Sequence, residues 1–70
     1  MMPLTMMNIG ETNYIIKITG NDETRRFLER LGFIEGEAIT VISELEGNMI
    51  LSIKDTRIAL DKSMINRIMV

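Results

Sequence analysis

The sequence contains no cysteine and no histidine. Without cysteine, the chain has neither disulfides nor thiolate ligands for a metal. Without histidine it lacks the most common catalytic acid–base group, and no serine has an evident base to activate it. The paired carboxylates Asp22 and Glu23 are explained by the chemistry of a helix start. We therefore expect no enzymatic activity, no catalytic residue, no metal site and no cofactor.

Neither sign of charge dominates, and long apolar runs are missing. The chain has 8 basic and 10 acidic residues and a net charge of -2, which gives no general attraction to nucleic acid or anionic lipid. Its longest apolar runs are a few residues, and Met1–Leu4 lacks the features of a signal peptide. We expect one cytoplasmic domain over residues 1–70, with no membrane insertion and no nucleic-acid partner.

The seven methionines are the only soft ligands in the sequence. Met64 and Met69 fall in or near segments that belong to the predicted core, and Met6 and Met7 are expected to pack beneath it. Thioethers alone do not make a site for a harder divalent ion. The methionines therefore indicate packing and not a metal centre.

Residues 22–31 have the pattern of a short amphipathic helix. Asn21 or Asp22 is a suitable cap for its start. Gly32 stands where a glycine in left-handed conformation ends a helix, and Phe33 would then contact Leu28. The predicted buried stripe follows helical spacing and consists of Thr24, Phe27, Leu28 and Leu31.

Two glycine turns precede strand-like segments. Residues 8–11 and 34–37 each place glycine third in a four-residue turn, where a type II turn requires positive φ. The first strand is predicted over Thr12–Thr19. The alternation directs three of its side chains inward, namely Tyr14, Ile16 and Ile18.

The second half of the chain contains four more predicted strands. One spans Ala38–Leu45, with Ile42 marking a bulge. Tight turns are predicted at Gly47–Asn48 and Asp55–Thr56, and a single helical turn at Lys62–Asn66. The inward residues of the last three strands are Met49, Leu51 and Ile53, then Ile58 and Leu60, and finally Ile68 and Val70.

Five short strands with tight connections predict a mainly β fold, a small antiparallel barrel with one helix inserted at about residues 22–31. Closing the sheet removes exposed strand edges. A chain of this length buries only about 60% of its unfolded surface, so we expect a narrow margin of stability.

Several segments together resemble one protein family. Residues 3–11 resemble a Pro-Leu-Ser-x-Leu-x-x-Gly-Glu opening, and Ile16–Ile18 followed by Gly20 resembles a first core strand. Residues 30–36 are similar to an Arg-Leu-x-x-Leu-Gly-Phe-x-Pro-Gly helix end, with Glu35 in place of proline. Arg57–Leu60 resembles the closing segment. The chain in this way resembles the FeoA family, small cytosolic proteins of bacterial ferrous iron uptake.

The resemblance implies an SH3-like domain and a role beside the membrane GTPase that transports ferrous iron. The expected partner is the cytosolic part of that transporter, and the expected action is regulation by protein–protein contact. SH3-like domains also occur in metal-dependent repressors, so a regulatory or peptide-binding domain of that type is the alternative. A small nucleic-acid-binding barrel is less favoured, because both phenylalanines are predicted to be buried.

Two surfaces are candidates for partner binding. Arg25, Arg26 and Arg30 lie on the polar side of the predicted helix and could meet an acidic partner. The competing interpretation is a solvated face with Arg25 paired to Glu29.

The second surface is the hairpin around residues 44–49. Leu45, Met49 and Ile50 cannot all point inward if the strands alternate, so one of them could anchor a partner. The competing interpretation is ordinary exposure. Pairing with a second copy through the hairpin or a strand edge is also left open.

Overall fold

A computed structural model describes residues 1–70 of the chain. The polypeptide begins with a 3-10 turn at Leu4–Met6 and continues through six strands and two helices. The strands are β1 (Thr12–Tyr14), β2 (Lys17–Ile18), β3 (Ala38–Leu45), β4 (Asn48–Ile53), β5 (Thr56–Asp61) and β6 (Ile68–Met69). The helices are α1 (Glu23–Arg30) and α2 (Lys62–Ile65).

The strands form two antiparallel sheets. One sheet has the order β1-β3-β4-β5, and the other pairs β2 with β6. The N-terminus extends the smaller sheet, because Met2 and Val70 exchange backbone hydrogen bonds of 2.9 and 2.8 Å. With α1 inserted between β2 and β3, the mainly β prediction with one inserted helix is confirmed, although the strands number six and not five.

The sixth strand arises because the predicted first strand changes partners in its middle. The Ile15 N–H donates to the carbonyl of Glu37 at 2.9 Å, whereas the Ile16 N–H donates to Met69 at 2.7 Å. Consecutive residues therefore belong to different sheets, and the alternation breaks between them. The prediction that Tyr14 and Ile16 point inward is wrong, since they are 67% and 47% exposed and Ile15 is buried. Ile18 is buried as predicted.

The remaining strands follow the predicted alternation. A register shift between Val41 and Ser43 confirms the bulge at Ile42. Both hairpin turns lie one residue earlier than predicted, at residues 46–47 and 54–55, and all four turn residues have positive φ. The helical turn predicted at residues 62–66 is confirmed by α2.

Both sheets and α1 contribute to one hydrophobic core. Leu28 is the buried residue of α1, whereas the prediction that Phe27 is buried is wrong, since it is 37% exposed. Phe33 is its largest fully buried side chain and lies immediately after the helix. Met7 and Met64 pack against the core from its margin, but Met6 is 62% exposed, so the prediction that it packs beneath the sheet is wrong. The buried set is Leu4, Ile15, Ile18, Leu28, Phe33, Ile39, Val41, Met49, Leu51, Ile53, Ile65 and Ile68.

The end of α1 has the predicted capping geometry. Gly32 adopts a φ of 104°, and its N–H donates to Glu29 at 3.0 Å. The Phe33 N–H reaches back to the Leu28 carbonyl at 3.1 Å, and the two side chains are buried in the same core. These two bonds form a Schellman motif, which satisfies carbonyls that the last helical turn leaves unpaired. The motif thereby fixes where Phe33 enters the core.

The start of α1 is fastened to the other end of the chain. Arg67 precedes β6, and its guanidinium donates to the Thr19 carbonyl at 3.2 and 3.1 Å and to the Asp22 carboxylate at 2.7 Å. A Cβ at Gly20 would overlap the guanidinium, so only glycine leaves room for this contact. Gly20 also has a φ of 88°, which other L residues rarely adopt.

Replacing Gly32 tests the contribution of the helix end. A Cβ there would lie 3.6 Å from the nearest Lys54 atoms, an ordinary contact, so the cost arises from the backbone conformation alone. We expect Gly32→Ala to lower the free energy of unfolding by about 1–2 kcal/mol and Gly32→Asn by less, because asparagine tolerates left-handed φ better. Urea denaturation measures both; an alanine variant as stable as the parent would contradict the argument.

Replacing Gly20 tests the Arg67 contact. Gly20→Ala adds backbone strain and also forces the Arg67 guanidinium away from Thr19 and Asp22. In an Arg67→Ala background only the strain remains, so we expect the same substitution to cost clearly less there. A double-mutant cycle by urea denaturation measures the difference; equal costs in both backgrounds would show that Arg67 does not occupy this space.

Candidate functional site

The outward side of α1 begins at a carboxylate that performs two tasks. Asp22 caps the helix by accepting from the Arg25 N–H at 3.1 Å, and the same oxygen accepts from Arg67. The hydrogen bond from the Arg67 guanidinium, followed by that from the Arg25 N–H, holds the pKa of Asp22 below its usual value. Asp22 is therefore a charged structural anchor for the helix surface.

The three arginines of α1 differ in how free their charges are. Arg25 lies 3.7 Å from Glu29 and donates to the Gly20 carbonyl at 3.1 Å. Arg26 contacts Glu23 at 2.7 Å. Arg30 forms no salt bridge and no side-chain hydrogen bond within the chain. The predicted pairing of Arg25 with Glu29 is thus present, and Arg30 offers the one unpaired guanidinium of the helix.

The hairpin surface differs from its prediction at one residue. Leu45 is 66% exposed, and Ile50 is half-buried on the outer face of the larger sheet. Met49 is 0% exposed, because it alternates with Ile50 and points into the core. Met49 cannot contact a partner, and its inclusion in the predicted surface was wrong. Leu45 and Ile50 remain as the predicted apolar anchors.

The C-terminal end of α1 and the hairpin turn lie at opposite ends of β4. The end of α1 adjoins the turn after this strand, where Gly32 approaches Lys54. Leu45 lies at the other end, beside the turn at residues 46–47. A six-residue strand separates them, which corresponds to roughly 20 Å. The end of α1 that carries Arg30 is therefore separated from Leu45 by the length of β4.

A third surface, which is apolar, was missed by the sequence analysis. Ile34 is exposed in the turn before β3, and this turn contacts the start of the smaller sheet because the Gly36 N–H donates to the Ile15 carbonyl at 2.8 Å. Tyr14 and Ile16, the neighbours of Ile15 in the chain, both have exposed side chains. The adjacent isoleucines at 15 and 16 were the available signal, since both cannot face inward on one continuous strand.

The structure offers little for a small ligand. No pocket is present, and no three carboxylate, histidine or cysteine side chains converge as a metal site would require. The exposed methionines at positions 1, 2 and 6 belong to the N-terminal segment. Neither helix has the length and apolar character needed to cross a membrane.

Acid titration tests the anchoring role of Asp22. Its pKa is lower in the folded state than in the unfolded chain, so its ionised form stabilises the fold above about pH 4, and this stabilisation is lost as the pH falls through the folded-state pKa. We expect Asp22→Asn to lower the melting temperature at neutral pH and to weaken its dependence on acid. The dependence of melting temperature on acid that remains in this variant arises from Asp61, whose pKa is lowered by the Ser63 hydroxyl and the Met64 N–H.

Asp55→Asn is the matched control for this experiment, because Asp55 forms no side-chain hydrogen bond or salt bridge and asparagine tolerates its φ of 61°. The control should keep the slope of melting temperature against pH between about pH 2 and pH 5. An unchanged slope in Asp22→Asn would contradict the role of Asp22.

Comparison with known proteins matches nearly the whole chain to one family. The model of the FeoA domain matches residues 2–70. No curated protein matches the chain. A crystal structure of an iron uptake regulatory protein, FeoA, is 30% identical, covers 99% of this chain and 92% of its own, and superposes with a TM-score of 0.89.

Two further structures show how widely this fold is used. FeoA from Stenotrophomonas maltophilia in complex with zinc is 25% identical, with a TM-score of 0.88 over 100% of this chain and 89% of its own. It is described as a procaryotic SH3 domain protein and a candidate ferrous iron transport activating factor. A manganese-dependent transcriptional repressor shares the fold at 19% identity, with a TM-score of 0.84 over 94% of this chain and 38% of its own.

These likenesses confirm the SH3-like fold that the resemblance implied. The family match spans almost every residue and includes both glycine turns, the inserted helix and the closing strand. The chain belongs to the FeoA family, small domains linked to ferrous iron transport.

Proposed function

We propose that this chain is a non-enzymatic, cytosolic accessory protein of bacterial ferrous iron uptake. It acts by protein–protein contact with the cytosolic part of the membrane GTPase that transports the iron, and residues 1–70 serve as one domain. The observation that carries this proposal is the FeoA domain match over residues 2–70. The description of the Stenotrophomonas maltophilia protein as a candidate ferrous iron transport activating factor supports it.

The helix surface suits an acidic partner. The unpaired Arg30 can form an ion pair without first losing one. Arg26 is held by Glu23, and Arg25 by Glu29 and the Gly20 carbonyl. Ion pairs between such exposed neighbours contribute about 0–1 kcal/mol. Exchanging those neighbours for carboxylates of a partner therefore costs little. All three arginines are available to steer and orient the encounter.

The hairpin surface suits an apolar contact. Leu45 projects beside the turn, and Ile50 lies near it on the same face. Full burial of one such side chain contributes about 1.5–3 kcal/mol. Since the end of α1 that carries Arg30 and the hairpin turn lie at opposite ends of β4, a partner that contacts both must extend along the length of that strand.

The fold likeness to a manganese-dependent repressor favours a second candidate function, an SH3-like regulatory or peptide-binding domain of that type. The identity of 19% supports the fold alone, whereas the family match supports iron transport. Binding to a repressor's DNA-binding half, with no binding to the transporter, would favour this second function.

The test is a titration of the isotope-labelled chain with the cytosolic GTPase portion of the ferrous iron transporter, and then with the full transporter in nanodiscs. Backbone amide shifts are expected at residues 25–30 and around residues 45–50. Shifts elsewhere would contradict the assigned surfaces. An absence of binding to both preparations would contradict the proposed partner.

Two matched pairs of variants sharpen the titration. We expect Arg30→Glu to weaken binding about fivefold at low salt, and Lys17→Glu, at an exposed lysine without an ion pair, to leave it unchanged. We expect Leu45→Ser to weaken binding about tenfold or more. Its control is Ile9→Ser, since Ile9 is similarly exposed at 61% in another turn.

A further inference from the structure

One edge of the larger sheet carries backbone groups without partners. β5 pairs with β4 along its length, and no strand pairs with its other side. The Lys62 N–H donates to the Gly47 carbonyl at 2.9 Å. Because backbone hydrogen bonds alternate along an antiparallel strand, the backbone N–H and C=O groups of Leu60 and Ile58 then point toward β4. The backbone groups of Arg57, Ala59 and Asp61 therefore point away from the sheet. At Asp61 only the N–H is free, because the carbonyl of a capping residue begins the following helix.

The side chains at these three positions leave the edge accessible. Arg57, Ala59 and Asp61 are all exposed. Ala59 is small enough to let a second backbone approach. Arg57 forms no ion pair within the chain. Asp61 accepts from the Met64 N–H and the Ser63 hydroxyl through Oδ1, so its Oδ2 has no partner in the chain.

We propose that β5 pairs edge to edge with β5 of a second copy of this chain. The strands run antiparallel about a two-fold axis at Ala59, and each Arg57 lies opposite Asp61 of the other copy. The two Ala59 residues exchange backbone hydrogen bonds, and each Asp61 N–H donates to the Arg57 carbonyl of the other copy. Ile58 faces Leu60 of the other copy on the inner side.

The charges select this register. The residues with free backbone groups are 57, 59 and 61, so only alignments that pair odd positions satisfy the hydrogen bonds. One symmetric alternative places Arg57 opposite Arg57, and another places Asp61 opposite Asp61. Two more place Ala59 opposite Arg57 or opposite Asp61, and these form no pair of opposite charges. Like charges directly opposite each other destabilise a strand pair, whereas opposite charges stabilise it. Charged residues on an edge strand commonly block pairing, whereas here the proposed register is the symmetric one that places complementary charges directly opposite each other.

The contact is short, so the association is weak. Edge pairing over five residues buries far less than the 1,200 Å² or so of a standard stable interface. We expect a dissociation constant on the order of 0.1–1 mM, which weakens as salt screens the Arg57–Asp61 pairs. The dimer uses a surface distinct from α1 and the hairpin turn, so its existence does not depend on the proposed iron transport partner.

Sedimentation equilibrium of the full chain from about 10 μM to about 1 mM tests the association. Hydrogen exchange at the same concentrations should show protection of the Ala59 and Asp61 amides rising with concentration. In a mixture of isotope-labelled and unlabelled chain, an intermolecular contact is expected between the α-protons of Ile58 and Leu60. A chain that remains monomeric throughout this range would overturn the proposal.

Charge reversal separates this edge from other surfaces. Arg57→Asp places two acidic side chains opposite each other and should weaken association about tenfold or more. Arg30→Asp makes the same change at the other unpaired arginine and should leave association unchanged. Backbone amide spectra establish that both variants fold. Equal association of both variants overturns the proposal. Protection of the β5 amides that appears only when the transporter portion is added also overturns it, because the edge would then pair with a strand of another protein.

Discussion

The architecture depends on a change of hydrogen-bonding partner between two consecutive residues. Ile15 is bonded to the turn before β3, and Ile16 is bonded to β6. This step carries the chain from the four-stranded sheet to the two-stranded one, and both sheets then cover a single core. It also leaves Tyr14 and Ile16 exposed, so the same feature that joins the sheets creates an apolar surface.

The inserted helix is held at both ends by different means. Its C-terminal end is closed by neighbouring backbone bonds that direct Phe33 into the core. Its N-terminal end is fastened by Arg67, which belongs to the other end of the chain. An eight-residue helix is marginal in isolation, so these attachments, with the burial of Leu28, give it a defined position. The arginines on its outer side consequently project from a fixed base.

The functional capacity of the domain is distributed over separate surfaces. The C-terminal end of α1 adjoins the turn after β4, and Leu45 lies at the opposite end of that strand. The edge of β5 offers backbone groups, whereas the other two surfaces offer charge and apolar area. These groups belong to different residues, so each surface can be altered by substitution without changing the others.

The sequence by itself determined those features that depend on near neighbours. The glycine turns, the capping of α1 by Asp22 and Gly32, the bulge at Ile42 and the alternation of β4 all arise from interactions within a few residues, or from a repeating pattern that local sequence displays. The family resemblance added the fold, and with it the setting in iron transport. Alternation correctly directed Met49 inward, and its inclusion in the hairpin surface was wrong because it conflicted with that assignment.

The tertiary structure alone decided the partner change at Ile15 and Ile16, because each residue bonds to a segment distant in the chain. It also decided the contact of Arg67 with Thr19 and Asp22, which spans more than forty residues. No local pattern in the sequence indicates that the Arg67 side chain will lie against Gly20, or that β5 will form an edge of the sheet. Such features depend on how the two sheets meet around the core, and that meeting exists only once the whole chain has folded.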